Sequence, residues 1–120
     1  MKPRDLILVV ALVCAGGTFA LAQQAAVPVM VRADGDMDTC GVGTISEVTA
    51  VRAGPGIGHR QIDGLKPGAR VWMFDEKDDW VGVAYGSENI ECSPIKQDKA
   101  YDGPGKSGWV HRKFVRLIAG

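Results

Sequence analysis

Apolar and polar residues alternate in short runs along most of the chain, and glycine or proline interrupts nearly every run. Thr44 to Val51, Gln61 to Leu65, Ala69 to Phe74, Trp80 to Tyr85 and Gly108 to Leu117 are rich in β-branched or aromatic residues. Their period of about two is that of a half-buried strand. Between them stand AGPGIG (Ala53 to Gly58), Lys66-Pro67-Gly68 and the charged turn DEKDD (Asp75 to Asp79). No window carries an apolar stripe at helical spacing. Short strands at this spacing predict an all-β domain, a small barrel or sandwich.

Three stretches fall outside that rhythm. Lys2 and Arg4 precede an almost wholly apolar run, Leu6 to Phe19, and Ala20-Leu21-Ala22 follows with small residues at the −3 and −1 positions. This predicts a secretory signal over 1–22, cut after Ala22. The run is short of the roughly 20 residues of a membrane span, so no stable membrane insertion is expected after cleavage. A retained amphipathic anchor is the alternative. Val13 is too bulky for Cys14 to mark a lipoprotein site. Residues 23–39 show no strong period and are expected to form a flexible arm ahead of a single domain over 40–120. Gly86 to Gly105 is polar and long for a loop, so it is either disordered or functional. An ordered insertion is expected.

Charge narrows the function. Of 14 basic and 14 acidic residues, the leader holds Lys2, Arg4 and Asp5, leaving 12 and 13. Nothing in that balance asks for nucleic acid or an anionic membrane. Cys40 and Cys92 are the two cysteines beyond the leader. An even count in an exported small domain predicts a disulfide, which would tether the insertion. Two free thiols are the alternative.

Several motifs are tested by context. AYDGPGKS (Ala100 to Ser107) resembles a phosphate loop with its first glycine replaced, but such a loop must follow a buried strand and open a helix. Here Gly108-Trp109-Val110 follows, a strand signal, and Pro104 removes a backbone donor. No nucleotide is expected. Lys106 and Ser107 should face water, and Gly108 should let Trp109 turn inward. DGDMD (Asp34 to Asp38) opens like a calcium loop, but Thr39 and Ile45 occupy the positions of its glycine and glutamate. His59, His111 and the cysteines lack metal-ligand spacing, so neither metal nor cofactor is expected. Cys92 with His111 could form a hydrolase pair, at the expense of the disulfide. The basic run Lys106, His111, Arg112, Lys113 and Arg116 reads as a solvated face, with an anionic ligand as the alternative.

The aromatics leave two readings. Val71 and Met73 share one face of their strand, while Trp72 and Phe74 share the other. A small barrel interior takes only one of these sets. The other packs beneath the 86–105 insertion or lines an open aromatic groove for a peptide.

Three stretches in order resemble a known family. TAVRAGPGIGHRQIDGLKPGARV (Thr49 to Val71) is similar to the opening of a bacterial SH3-like (SH3b) domain. DDWVGVAY (Asp78 to Tyr85) looks like its central strand, and GKSGWVHRKFV (Gly105 to Val115) like its closing strand, with Phe114 at the aromatic position. The resemblance covers about Thr44 to Ile118. Ala50 replaces a frequent asparagine, and the stretch holding Cys92 is longer than usual. The resemblance implies a half-open SH3-like barrel of five to seven short antiparallel strands, with the disulfide-tethered insertion before the last one.

It also implies a non-catalytic module in an exported protein, periplasmic or secreted. No hydrolase sequence accompanies the module, so the expected work is recognition of a peptide or protein in the cell envelope, peptidoglycan stem peptides among them. The expected contacts are Trp72, Trp80, Tyr85 and Tyr101, with Arg52 and His111 as polar partners. The alternatives are a small cell-wall cysteine hydrolase or hydrolase subunit using Cys92 and His111, and a structural or inhibitory partner of another exported protein.

Overall fold

The computed structural model describes residues 23–120, and the expected signal over 1–22 lies outside the described residues. In chain order the elements are β1 (Met30–Val31), β2 (Gly41–Ile45), β3 (Thr49–Arg52), β4 (Gln61–Leu65), β5 (Arg70–Lys77), β6 (Trp80–Tyr85), β7 (Lys99–Ala100) and β8 (Lys106–His111). A 3₁₀ turn, Arg112–Phe114, then leads into β9 (Val115–Ala119). Seven strands form one antiparallel sheet in the order β4-β3-β8-β6-β5-β2-β9, and β1 and β7 form a separate two-stranded ribbon. The sheet does not close, because β4 and β9 remain as its edges. The all-β class is the one that strand spacing predicts, and the half-open antiparallel form is the one that the resemblance implies.

Period-two facing splits the core into two layers. Val71 and Met73 of β5, Val81, Val83 and Tyr85 of β6, and Val110 of β8 pack with Ile45 and Val51 on one face. The alternate residues Trp72, Phe74, Ala84 and Trp109 lie on the other face, buried with Val29, Val31 and Ile90. Each fully buried large apolar side chain contributes about 1.5–3 kcal/mol, so both layers matter to a domain this small. Trp72 and Phe74 therefore pack beneath the insertion rather than opening a groove. Trp109 turns inward as expected and is buried in the outer layer, while Val110 fills the interior.

The insertion is ordered, and the Cys40–Cys92 disulfide holds it to the start of β2. The Thr39 N–H donates to Cys92 O at 2.7 Å, and the Thr39 hydroxyl donates to Ser93 O at 3.1 Å. By the chain-entropy account, closing a loop of 52 residues' separation stabilises by roughly 4 kcal/mol.

Four local expectations change. Residues 23–39 are not a free arm: Val29 and Val31 are buried, and β1 pairs with β7. Asp75 fastens that segment. Its carboxylate accepts the Met30 N–H at 3.0 Å and the Arg32 guanidinium at 3.1 Å. The run from Thr44 to Val51 is two strands, because the chain turns at Ser46-Glu47-Val48, where the Ser46 N–H donates to Phe114 O. The charged stretch is mostly strand. β5 runs to Lys77, and the turn is Asp78-Asp79, with Asp78 at φ 54°. The last run is broken by the 3₁₀ turn, where the His111 ring nitrogen Nδ1 caps the Lys113 N–H.

Candidate functional site

Arg52 closes β3, Trp80 opens β6 and His111 closes β8, so three of the six expected contacts reach one end of the sheet. Trp80 and His111 are direct partners in the β6–β8 register. Their ring centroids stand 5.4 Å apart at 64°. The 3₁₀ turn brings Phe114 back toward His111, with centroids 6.2 Å apart at 67°. Edge-to-face pairs of this kind suit the ring quadrupoles. Together the three rings form an aromatic wall along a cleft of about 320 Å³. Val48 and Ile57, 72% and 81% exposed, stand at its mouth.

The cleft has one sign of charge. Arg52 and Lys113 line it, and no carboxylate does. Lys113 Nζ lies 5.0 Å from the centroid of the Phe114 ring, a cation–π arrangement. Arg52 spends one N–H on the carbonyl of His59 at 3.0 Å, which holds the base of the AGPGIG loop. Because His111 Nδ1 accepts the Lys113 amide at 3.1 Å, the neutral ring carries its hydrogen on Nε2, a donor toward a ligand. Arg112 is drawn away from the cleft to Glu76 at 3.0 Å and to the carbonyl of Asp78 at 3.1 Å. The cleft thus sets a wall of three rings and an exposed apolar pair beside two cations.

The other three expected residues lie elsewhere. Trp72 is buried beneath the insertion and presents no surface to a ligand. Tyr85 is also buried, in the inner layer, where its hydroxyl donates to Asp63 Oδ2 at 2.9 Å. Burial first, and the Asp63 carboxylate second, push its phenol above the ordinary tyrosine range. Asp63 moves the opposite way: the Gly64 amide and the Tyr85 hydroxyl hold its carboxyl below the usual value. Tyr101 half-covers Phe74, with ring centroids 5.1 Å apart, and donates to Pro104 O at 2.6 Å. It lines a separate cleft of about 390 Å³ between the insertion and the body.

Strand facing missed Val48, Ile57, Lys113 and Phe114. A signal existed for three of them: Ile57 is a large apolar residue inside a glycine-rich turn, Lys113 belongs to the basic run whose alternative reading is an anionic ligand, and Phe114 sits at the aromatic position of the closing strand. With its sulfur bonded to Cys40, Cys92 is not the free thiol that a cysteine nucleophile needs. Among the described residues, no three or more His, Cys, Asp or Glu side chains gather where they could hold a metal ion.

The family model described as bacterial SH3 domain matches residues 47–116. No curated protein and no solved structure matches the chain.

Proposed function

Because the chain belongs to the bacterial SH3 domain family, a family of binding modules, we propose that it recognises a carboxylate-bearing peptide of the cell envelope through the Trp80 cleft. The observation that carries this reading is the set of three rings, Trp80, His111 and Phe114, beside Arg52 and Lys113 in a cleft that no carboxylate lines. Aromatic side chains offer contact area with little rotamer entropy to lose, and an arginine fork can hold a carboxylate by two bonds. Peptidoglycan stem peptides combine small apolar residues with free carboxylates and have the chemistry for such a cleft.

Export is part of the proposal. A disulfide persists in oxidising compartments, and the charged start, apolar run and Ala20-Leu21-Ala22 of residues 1–22 have the composition of a cleaved leader. The module binds rather than catalyses, either free in the periplasm or released from the cell. Sedimentation with purified peptidoglycan tests the ligand: the native protein is retained, and Trp80→Ala with His111→Ala is not. Equal retention of both proteins, or of neither, overturns the assignment to this cleft or to the cell wall.

A further inference from the structure

A second groove, independent of the Trp80 cleft, is already filled by the chain itself. Residues 24–31 run across it in an extended path with only Met30 and Val31 in regular strand. The Gln24 N–H donates to Gly58 O at 3.2 Å, and the Val27 N–H to Ala53 O at 2.9 Å. The Val27 carbonyl accepts the indole N–H of Trp109 at 2.8 Å. That is the hydrogen bond that a buried tryptophan donor needs. The Val29 carbonyl accepts the Tyr101 N–H at 2.8 Å, and the Met30 N–H reaches Asp75 at 3.0 Å. Recognition is thus mainly through the backbone, with Val29 and Val31 as two side-chain anchors 2% and 4% exposed. Alternate side chains in pockets and main-chain bonds between them are the pattern of a bound extended peptide.

The groove and its occupant belong to different parts of the chain. Ala53, Gly58, Asp75, Tyr101 and Trp109 all lie inside the residues 47–116 that match the family, and 24–31 lie outside them. Gly82 is cut to fit: a Cβ there would stand 3.0 Å from Val29 Cγ1, a tight contact on the floor of the groove. Residues 25–28, by contrast, are exposed, so the segment is held at a few points rather than enclosed.

We propose that this groove is a peptide-binding site for an extended segment with β-branched residues two apart, occupied in cis by residues 24–31 and open to the same chemistry in trans once that strap is loosened. A short tether gives the strap an effective concentration in the millimolar range, so the native chain masks its own site. A competitor meets only the fraction of molecules whose strap is out, and its apparent affinity falls by that fraction.

The test uses the full chain and a fluorescein-labelled peptide of residues 24–33, QAAVPVMVRA, followed by anisotropy. Val29→Ser in the chain weakens the strap at its anchor and changes no residue of the groove. This variant is expected to bind the peptide at least about tenfold more tightly than the native chain, because its competent fraction is larger. The peptide should raise its melting temperature by mass action. A peptide carrying the same Val29→Ser change is expected to bind at least about tenfold more weakly, having lost its anchor. If the Val29→Ser chain does not fold, Arg32→Ala, which removes the strap's exposed ion pairs to Asp75 and Asp98, replaces it, with tighter binding than the native chain expected and the same loss with the Val29→Ser peptide. A folded variant that binds no peptide up to about 1 mM, the tether's own scale, overturns the proposal. So does binding indifferent to the valine.

Discussion

Trp80 and His111 face each other directly across β6 and β8, and their rings meet edge to face with centroids 5.4 Å apart. The contact joins the outer layer to the proposed cleft, since Trp80 also packs against the cluster that holds Trp72 and Trp109. A double-mutant cycle of Trp80→Ala and His111→Ala, read by urea unfolding, should give a coupling of about 0.5–1.5 kcal/mol, the range for aromatic pairs. Additive losses within about 0.3 kcal/mol would mean that the rings are neighbours without being partners.

The disulfide makes a larger claim. Cys40→Ala with Cys92→Ala should lower stability by about 4 kcal/mol, within the 2–5 kcal/mol usual for small exported domains. Protection against amide exchange should fall first at Thr39, whose N–H bonds Cys92 O, while Val83 in the middle of β6 stays protected. Uniform loss at both sites would make the insertion part of one cooperative unit.

The buried strap is a claim about Val29. It is 2% exposed, so Val29→Ala should cost about 2 kcal/mol. A flexible arm would tolerate the change within about 0.5 kcal/mol, as surface positions do.

Two glycines with positive φ separate strain from collision. Gly68 has φ +90° with open space where a Cβ would stand, whereas at Gly105, φ +79°, a Cβ would run into the Tyr85 carbonyl. Gly68→Ala should therefore cost about 1 kcal/mol of backbone strain. Gly105→Ala should cost clearly more, about 3 kcal/mol or above, since the end of the β6–β8 pairing must move. Equal losses in thermal unfolding would contradict that reading of Gly105.

Asp63 and Tyr85 give stability a pH dependence at both ends. The folded Asp63 value lies below 3.8, so its contribution is present above the unfolded value and disappears as pH falls through the folded one. Asp63→Asn should flatten the acid limb below about pH 4. Tyr85 is raised from 10.0, so the neutral phenol stabilises the fold below that pH, and the contribution is lost as pH rises through the folded value. Tyr85→Phe should reduce the alkaline loss above about pH 10. It should not abolish it, because Tyr101 is raised as well by its own burial and by Asp102. Parallel pH–stability curves for native and variant proteins would remove both groups from the account.

What could be read from the sequence depended on how local the signal was. β4, β5 and β6 announce themselves through alternation and flanking glycine, proline or charge. The turn at Ser46-Glu47-Val48 has neither glycine nor proline and a single charge, Glu47, so β2 and β3 read as one strand. β1 escaped because it is only two residues long, Pro28 breaks the alternation of Val27, Val29 and Val31, and its partner Ala100 is 70 residues away in sequence. At the site, facing named Trp80, His111 and Arg52, three residues that meet at one end of the sheet. It failed for Trp72 and Tyr85 because alternation tells which face a residue takes, not whether a second layer covers that face. The strap and the insertion cover one, and the barrel interior buries the other.

The central claim is that the Trp80 cleft recognises a carboxylate-bearing peptide. Titration of the isotope-labelled native protein with a stem peptide, alongside its carboxy-amidated form, tests it most directly. The account predicts amide and indole shift changes concentrated at Arg52, Ile57, Trp80, His111 and Phe114, with weaker binding of the amidated peptide. Shifts that map instead to the Tyr101 cleft or the strap groove, or that ignore amidation, would contradict it.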